Sequence, residues 1–301
     1  MKRLLIALST LALVLAGLSL AAGEHLRRPV RTTIGAPPQG LNAATVAIPY
    51  GEGQHLAGWF LPGRAHEGAV LMLHGVRGNR LQMLARARWL QREGVASLIV
   101  DLPSHGESSG ERISFGRHES KGTEAALAWL RMRLPGEKVG AIGVSLGGAS
   151  LLFAQRQPEL DALVLESVYP TIDAAVQNRL AMHLGPVAGQ ALAPLLLVQI
   201  PLRLGFGTDQ LRPVDAIANV RAPLIVASGT EDLHTRLPET EALFAAAREP
   251  KALWPVEGAA HIDLHDFDAA AYEARLGPWL HAQLRKSSPR QGQAVAGKMP
   301  P

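Results

Sequence analysis

The sequence predicts an α/β protein with a mostly parallel sheet that is covered by helices on both faces. Short apolar stretches without polar alternation recur along the chain, and segments with helical periodicity separate them. Such strands are typical of parallel sheets with two buried faces. One of them, Lys138–Ile142, leads into the turn Gly143-Val-Ser145-Leu-Gly147 and then a helix, the setting that exposes a nucleophilic serine.

The predicted elements follow in chain order. An antiparallel hairpin comes first, with strands Ala44–Pro49 and His55–Leu61 around a glycine turn. Six further strands are predicted at Ala69–Leu73, Ala96–Val100, Lys138–Ile142, Ala162–Leu165, Pro223–Ala227 and Ala252–Val256, with helices at Leu81–Arg92 and His118–Arg133. Residues 168–220 interrupt this alternation and are predicted to form a small helical cap. Residues 42–286 then make up one α/β domain.

The first residues carry a membrane-directed segment. Lys2 and Arg3 precede the apolar run Leu4–Ala22, so residues 1–23 are predicted to be a signal peptide or an N-terminal membrane anchor. Cleavage is conceivable after Ala21 or Gly23, although the arginines that follow the run resist translocation. The protein is therefore expected to be exported, periplasmic, extracytoplasmic or membrane-anchored. Residues 24–41 are predicted to be a linker, and residues 287–301 a disordered tail.

Composition limits the class of partner. The chain has 301 residues, a formal charge of only +4 and 5% aromatic residues, which gives no support to a nucleic-acid partner. It has no cysteine, so disulfides and thiolate metal sites are excluded. No His or carboxylate cluster has compelling metal-ligand spacing, and neither a metal nor a cofactor is predicted. A small-molecule substrate is expected, and the oligomeric state is left open.

The residues that follow the strands supply the predicted site, because ligands bind at the carboxyl ends of parallel strands. Gly143 and Gly147 allow close backbone contact around Ser145. The turn after Ala69–Leu73 contains Gly75, and the N–H groups of Val76 and Leu146 are the predicted oxyanion hole.

Three motifs together resemble the α/β-hydrolase superfamily, in particular its bacterial serine aminopeptidase-like branch. They are H-G-x-x-G-N at 74–79, D-x-x-x-H-G-x-S-x-G at 101–110 and G-x-S-x-G at 143–147, within a match over Ala44–Leu284. The resemblance implies the chain order nucleophile, acid, histidine. Asp232 is the implied acid, with Glu231 as the alternative, and His261 is the implied base, with His265 as the alternative. Leu233-His234-Thr235 departs from the hydrophobic-proline pair that is usual there.

The resemblance implies acyl transfer to water. Ser145 would attack a carbonyl carbon, His261 would act as general base and acid, and Asp232 would orient the imidazole. Carboxylic ester hydrolysis is the first expectation, and peptidase and thioesterase activities remain open. A non-catalytic module that binds a ligand in the same pocket is the alternative from another class. The apolar stretch Leu192–Leu204 would either line an acyl-binding cleft or pack within the cap.

Overall fold

The computed structural model describes residues 1–154 and 160–286. The tail predicted to be disordered, residues 287–301, lies outside the described residues. The strands are β1 (Val30–Arg31), β2 (Ala44–Gly51), β3 (Gln54–Leu61), β4 (Ala69–Leu73), β5 (Ala96–Val100), β6 (His105–Gly106), β7 (Val139–Val144), β8 (Ala162–Glu166), β9 (Leu224–Gly229) and β10 (Lys251–Val256).

Helices precede the sheet, alternate with its strands and form the cap. They are α1 (Lys2–Arg27), α2 (Leu84–Glu93), α3 (Glu119–Arg133), α4 (Leu146–Leu152), α5 (Ile172–Leu184), α6 (Pro186–Leu197), α7 (Gln199–Leu204), α8 (Pro213–Ala216), α9 (Leu237–Ala246), α10 (Leu264–Phe267) and α11 (Ala269–Leu284). Short 3₁₀ turns occupy Arg80–Met83, Thr208–Gln210 and Ile217–Asn219.

Eight strands form one sheet in the order β10-β9-β8-β7-β4-β5-β3-β2. β2 pairs antiparallel with β3, and β3 with β5, while all other neighbours in this sheet pair in parallel. The predicted hairpin and the mostly parallel sheet are confirmed. This order brings the carboxyl ends of β4, β7, β8, β9 and β10 to one edge, where a site can be assembled from separate loops.

Both faces of the sheet are buried. In β4, Leu71 and Leu73 belong to one hydrophobic cluster, whereas Val70 and Met72 belong to the other. Helices α3 and α4 contribute to the first cluster, and α2 and α11 contribute to the second. Continuous apolar composition without alternation therefore reflects burial on two faces, as the sequence predicts.

The cap lies between β8 and β9, where helices α5, α6 and α7 follow one another. Thr171 caps α5 by accepting a hydrogen bond from the Ala174 N–H, and Pro186 stands in the first turn of α6. Gly185 separates α5 from α6 with a positive φ of 81°. The two helices pack on each other, so the cap is a helical hairpin with α7 attached.

Two segments differ from their predicted extent. The helix predicted at Leu81–Arg92 begins as the 3₁₀ turn Arg80–Met83, because the Asn79 side chain accepts from the Leu81 N–H, and continues as α2. Helix α1 runs four residues beyond position 23. The segment predicted to be a linker then contributes β1, whose Val30 pairs in parallel with His105 of β6.

Candidate active site

Ser145 lies in a tight turn between β7 and α4. Its backbone has φ 48° and ψ −108°, a conformation that non-glycine residues rarely adopt. The Ser145 N–H donates to the Glu166 carbonyl oxygen at 2.7 Å, and its own carbonyl accepts from the Ala149 N–H at 2.9 Å. These bonds hold the turn on both sides, in the manner of a nucleophile elbow.

The glycines on either side of Ser145 let two segments of backbone approach closely. A Cβ at Gly143 would lie 2.6 Å from the Cα of Gly148. A Cβ at Gly147 would lie 2.4 Å from the carbonyl oxygen of Leu73, at the end of β4. Both contacts are with backbone, which cannot move aside without shifting a strand or a helix, so these positions require glycine.

The N–H groups predicted to form an oxyanion hole belong to Val76 and Leu146. Leu146 is the first residue of α4, so its N–H has no acceptor within the helix. Val76 follows Gly75, whose own N–H donates to Gln82 Oε1 at 2.9 Å and thereby fixes this turn. A Cβ at Gly75 would meet no atom nearer than 3.7 Å, so space alone does not require glycine here.

His261 and Asp232 meet beyond the ends of β9 and β10. The His261 Nδ1 and Asp232 Oδ2 atoms are 2.7 Å apart. The Asp232 side chain is completely buried, whereas 19% of the His261 side chain is exposed. The imidazole therefore has one nitrogen held by a buried carboxylate and an accessible face.

Three donors surround the Asp232 carboxylate. Its Oδ1 accepts from the His234 and Thr235 N–H groups, each at 2.8 Å, while Oδ2 faces His261. Burial raises the pKa of Asp232, but the bond to His261 and the two N–H donors outweigh burial and hold the pKa below its usual value. An ionised carboxylate only accepts hydrogen bonds, so it places the imidazole proton on Nδ1 and leaves Nε2 as an acceptor.

The alternative acid and base have other surroundings. Glu231 is exposed, and its backbone N–H donates to the Ala259 carbonyl. His265 is buried against Trp89, and its Nε2 lies 3.1 Å from Glu273 Oε1. In the structure it is thus Asp232 and His261 that contact each other, whereas Glu231 and His265 have other partners.

His234 is a component of the site that the sequence did not identify. Its ring stacks on the His261 ring, with centroids 4.5 Å apart and an angle of 16° between the planes. Burial, followed by the positive charge of Arg179, lowers the pKa of His234 to about 4, so the ring is neutral at pH 7. The residue that departs from the usual hydrophobic-proline pair thus supplies a flat ring that packs against His261. In the sequence, this contact is indicated only by a histidine two residues after the predicted acid.

His74 and His105 brace the turn that carries Val76. The Leu102 N–H donates to His74 Nε2 at 2.9 Å, and His74 Nδ1 donates to the Gly75 carbonyl at 2.7 Å. The His105 ring packs edge-on against His74 at 5.1 Å between centroids. Burial lowers the pKa of each ring to about 4, so both are neutral at pH 7. Their positions assign both histidines a structural part.

A buried charge network lies behind the elbow. Arg86 contacts Glu166 and Asp263, each at 2.7 Å, and the Tyr272 hydroxyl also donates to Glu166. Because Ser145 donates its N–H to the Glu166 carbonyl, the network fixes the elbow from the opposite side. Glu166 is already paired and only 1% exposed, so it is not a free carboxylate for a peptide terminus.

One cavity of about 360 Å³ adjoins all the predicted reacting groups. Ser145, His261, Val76 and Leu146 border it, so the predicted nucleophile, the predicted base and the two residues of the predicted oxyanion hole share one cavity. Its volume lies in the range of small-molecule sites. The cap supplies an apolar wall, formed by Ile172, Ala175, Val176, Leu180 and Leu196.

Apart from Tyr169, the ionisable side chains along this cavity are arginines and histidines. Arg77 and Arg179 border it together with His25, His183, His234 and His261, and no Asp or Glu of the described residues does so. Asp173 and Asp209 of the cap segment, which could otherwise bind a peptide amino terminus, are not among the residues that border it.

The described residues offer no metal site of the usual kind. Within 1–154 and 160–286, no three His, Asp or Glu side chains are grouped so that they could hold a metal ion. His261 and His265, one helical turn apart in sequence, are directed to different carboxylates. His261, oriented by Asp232, and Ser145 border the same cavity.

The protein is similar to solved esterases and to curated bacterial proteins. The esterase Pf2001 of Pyrococcus furiosus superposes with a TM-score of 0.70, at 19% identity, over 86% of this chain and 98% of that chain. The esterase EaEST of Exiguobacterium antarcticum gives a TM-score of 0.59, at 16% identity, over 79% of this chain and 99% of that chain. At these identities the likeness concerns the fold.

Sequence relatives extend the similarity. The uncharacterized protein MT2364 of Mycobacterium tuberculosis is 30% identical over 227 residues, 72% of each chain. The uncharacterized protein YfhR of Salmonella typhi is 26% identical over 245 residues, 75% of this chain and 77% of the relative. The family described as serine aminopeptidase, S33, matches residues 64–219, more than half of the chain. The protein therefore belongs to the serine aminopeptidase S33 family of α/β hydrolases.

Proposed function

We propose that the protein is a serine hydrolase that cleaves carboxylic esters, with Ser145 as nucleophile, His261 as general base and acid, and Asp232 as the orienting acid. The observation that carries this proposal is the 2.7 Å contact between His261 Nδ1 and Asp232 Oδ2 beside the cavity that Ser145 also borders. Family membership supports hydrolase chemistry of this kind.

In the proposed reaction, His261 Nε2 takes the Ser145 hydroxyl proton as Oγ attacks the ester carbonyl carbon. The negative charge that develops on the carbonyl oxygen is bound by the Val76 and Leu146 N–H groups. His261 then gives its proton to the departing alkoxide, which leaves an acyl group on Ser145. Water attacks this acyl-enzyme with His261 again as base and releases the carboxylic acid.

The charge of the cavity favours an ester over a peptide with a free amino terminus. An aminopeptidase must bind an ammonium group, for which a carboxylate is the usual partner. The cavity instead presents Arg77 and Arg179, and Glu166 is engaged by Arg86. Neutral or anionic acyl substrates suit these walls, whereas a cationic peptide terminus is repelled.

The test is steady-state hydrolysis by the full-length protein of p-nitrophenyl esters with acyl chains from acetate to palmitate, alongside aminoacyl p-nitroanilides. We expect ester turnover that falls at least 10³-fold in Ser145→Ala and little turnover of the anilides. Ser97→Ala is a matched control, because Ser97 is a buried serine of β5 that does not border the cavity and whose hydroxyl makes no hydrogen bond within the described residues. Anilide turnover above ester turnover would favour the peptidase, and no turnover of either by folded protein would favour a binding module.

A further inference from the structure

The last two turns of α1 are attached to the cap. The Ser19 hydroxyl donates to the Leu195 carbonyl at 2.8 Å, and the Gln199 side-chain amide donates to the Ser19 hydroxyl at 2.8 Å. Arg203 pairs with Glu24 at 2.7 Å and also donates to the Leu20 carbonyl at 2.9 Å. These specific polar contacts fix the end of α1 on α6 and α7.

The same end of α1 forms part of the cavity wall. Ala22, His25 and Leu26 border the cavity that contains Ser145 and His261. The Arg27 carbonyl accepts from the Ile113 N–H at 2.7 Å, which ties the helix end to the hydrolase domain as well. Cleavage after Ala21 or Gly23 would remove Ser19 and Leu20 and most of the helix that holds this wall in place.

In the remainder of α1, no described side chain forms a hydrogen bond or ion pair with the cap. From Lys2 to Leu18 it is a stretch of about 17 residues, or about 26 Å of helix, and none of its described side chains is buried. Leu4, Leu8 and Leu13 are 64%, 54% and 74% exposed. Without Lys2 and Arg3 the uncharged stretch Leu4–Leu18 has about 15 residues, slightly fewer than the about 17 to 25 of a typical span. Lys2 and Arg3 can extend to the headgroups and the bilayer can thin locally, so this part of α1 suits a short membrane span.

The cap exposes further apolar side chains next to α1. Val187, Leu195, Val198 and Leu202 of α6, α7 and their junction are 81%, 40%, 60% and 82% exposed, and we name these four residues the cap patch. Leu195, Val198 and Leu202 are spaced by three and four residues and so share a helix face. Ser19 bonds to the Leu195 backbone carbonyl, so α1 lies beside the helix segment that carries the cap patch. Exposed apolar surface of this kind marks an interaction site.

We propose that α1 is a retained membrane anchor, that the cap patch lies on the same bilayer, and that the cavity takes a lipid ester from that bilayer. The occupant of the cap patch is the phospholipid surface, because the patch adjoins a helix whose free part fits a bilayer. The lipid-ester part of this inference rests on the proposed function. The apolar cap wall would contain the acyl chain, and the ester carbonyl would meet Ser145.

The location of the cap is tested on full-length protein in vesicles of phosphatidylcholine and phosphatidylglycerol. Because the chain has no cysteine, Leu202→Cys can be labelled alone with an environment-sensitive fluorophore. Met132→Cys is the matched control, as Met132 is 75% exposed on α3. In vesicles, we expect the fluorophore at position 202 to emit at shorter wavelength than the fluorophore at position 132 and to be quenched at least twofold less by aqueous iodide. Equal responses at the two positions would overturn the proposed orientation.

Substrate access is tested with Val187→Glu/Leu202→Glu against the control Met132→Glu. We expect the double variant to hydrolyse a long-chain monoacylglycerol embedded in vesicles about tenfold more slowly than wild type, with p-nitrophenyl acetate hydrolysis in detergent unchanged. Unaltered hydrolysis of the embedded lipid overturns the inference alone, because acetate turnover still supports the ester hydrolase. If the wild-type protein does not hydrolyse p-nitrophenyl acetate at all, the inference and the proposed function are both overturned.

Retention of α1 is tested by intact-mass analysis of the membrane-bound protein. We expect a mass that includes α1, and a chain that starts at residue 22 or 24 would refute its retention.

Discussion

Asp232→Asn is the substitution that tests the proposed role of the acid most directly. The carboxylate accepts from the His234 and Thr235 N–H groups through Oδ1 and faces His261 through Oδ2. If the Asn carbonyl keeps the two N–H donors, its NH₂ group points at His261 Nδ1. That nitrogen must then accept, so the proton moves to Nε2 and the imidazole can no longer take the proton of Ser145.

The expected loss is large because the change reverses the tautomer and removes a buried charge together. In serine hydrolases a substitution of this kind lowers kcat by about 10⁴, which corresponds to about 5.4 kcal/mol of transition-state stabilisation. We therefore expect kcat for p-nitrophenyl butyrate to fall by about 10⁴ in Asp232→Asn, with KM changed little. The unfolding temperature, measured alongside, separates this loss from misfolding.

Glu231→Gln is the matched control, since it neutralises the adjacent exposed carboxylate. We expect its kcat to stay within about twofold of wild type. A kcat for Asp232→Asn within tenfold of wild type, or a larger loss in Glu231→Gln, would refute the assignment of the acid.

Three other predictions concern packing and charge. Gly147→Ala places a Cβ 2.4 Å from the Leu73 carbonyl oxygen and should lower the unfolding free energy by about 1 to 3 kcal/mol. At Gly75 the nearest atom would be 3.7 Å from the new Cβ, so Gly75→Ala should change the unfolding free energy by less than about 1 kcal/mol. Equal losses for the two variants in urea unfolding would contradict this difference. Arg86→Met leaves the buried Glu166 and the partly buried Asp263 without their cation and should cost about 3 to 5 kcal/mol in the same assay, so a neutral result would refute the role of the network. The pKa of buried His74 is lowered to about 4, so the unfolded state binds protons more readily below pH 6.5. Stability should then fall by about 2 kcal/mol from this ring between pH 7 and 5, and a pH-independent unfolding free energy would contradict that.

The fold follows from the sequence because strands buried on two faces have a distinctive composition. Ala69–Leu73 and Ala96–Val100 were predicted with the bounds that the structure gives. The start of α2 was missed because Asn79 caps a 3₁₀ turn before the helix, and periodicity does not resolve that first turn. β1 was also missed, since a two-residue strand is defined by its distant partner at His105 and has no local pattern.

Contacts in the candidate site between residues that are far apart in the sequence were harder to predict. Strand ends predicted which residues share one edge of the sheet, and Ser145 and His261 do border one cavity. The roles of Ser145, Asp232 and His261 stay predictions. The stacking of His234 on His261 and the contribution of Leu26 to the cavity wall depend on side-chain packing between separate elements, which spacing does not encode.

The most direct test of the proposed chemistry is the site of covalent labelling by a fluorophosphonate. The folded full-length protein is treated with the reagent and digested, and the modified peptide is identified by mass spectrometry. We expect one phosphonyl adduct, located on Ser145, and at least a hundredfold slower labelling in His261→Ala, since the imidazole activates the hydroxyl. No adduct on folded protein, or an adduct on another serine with Ser145 unmodified, would contradict the account.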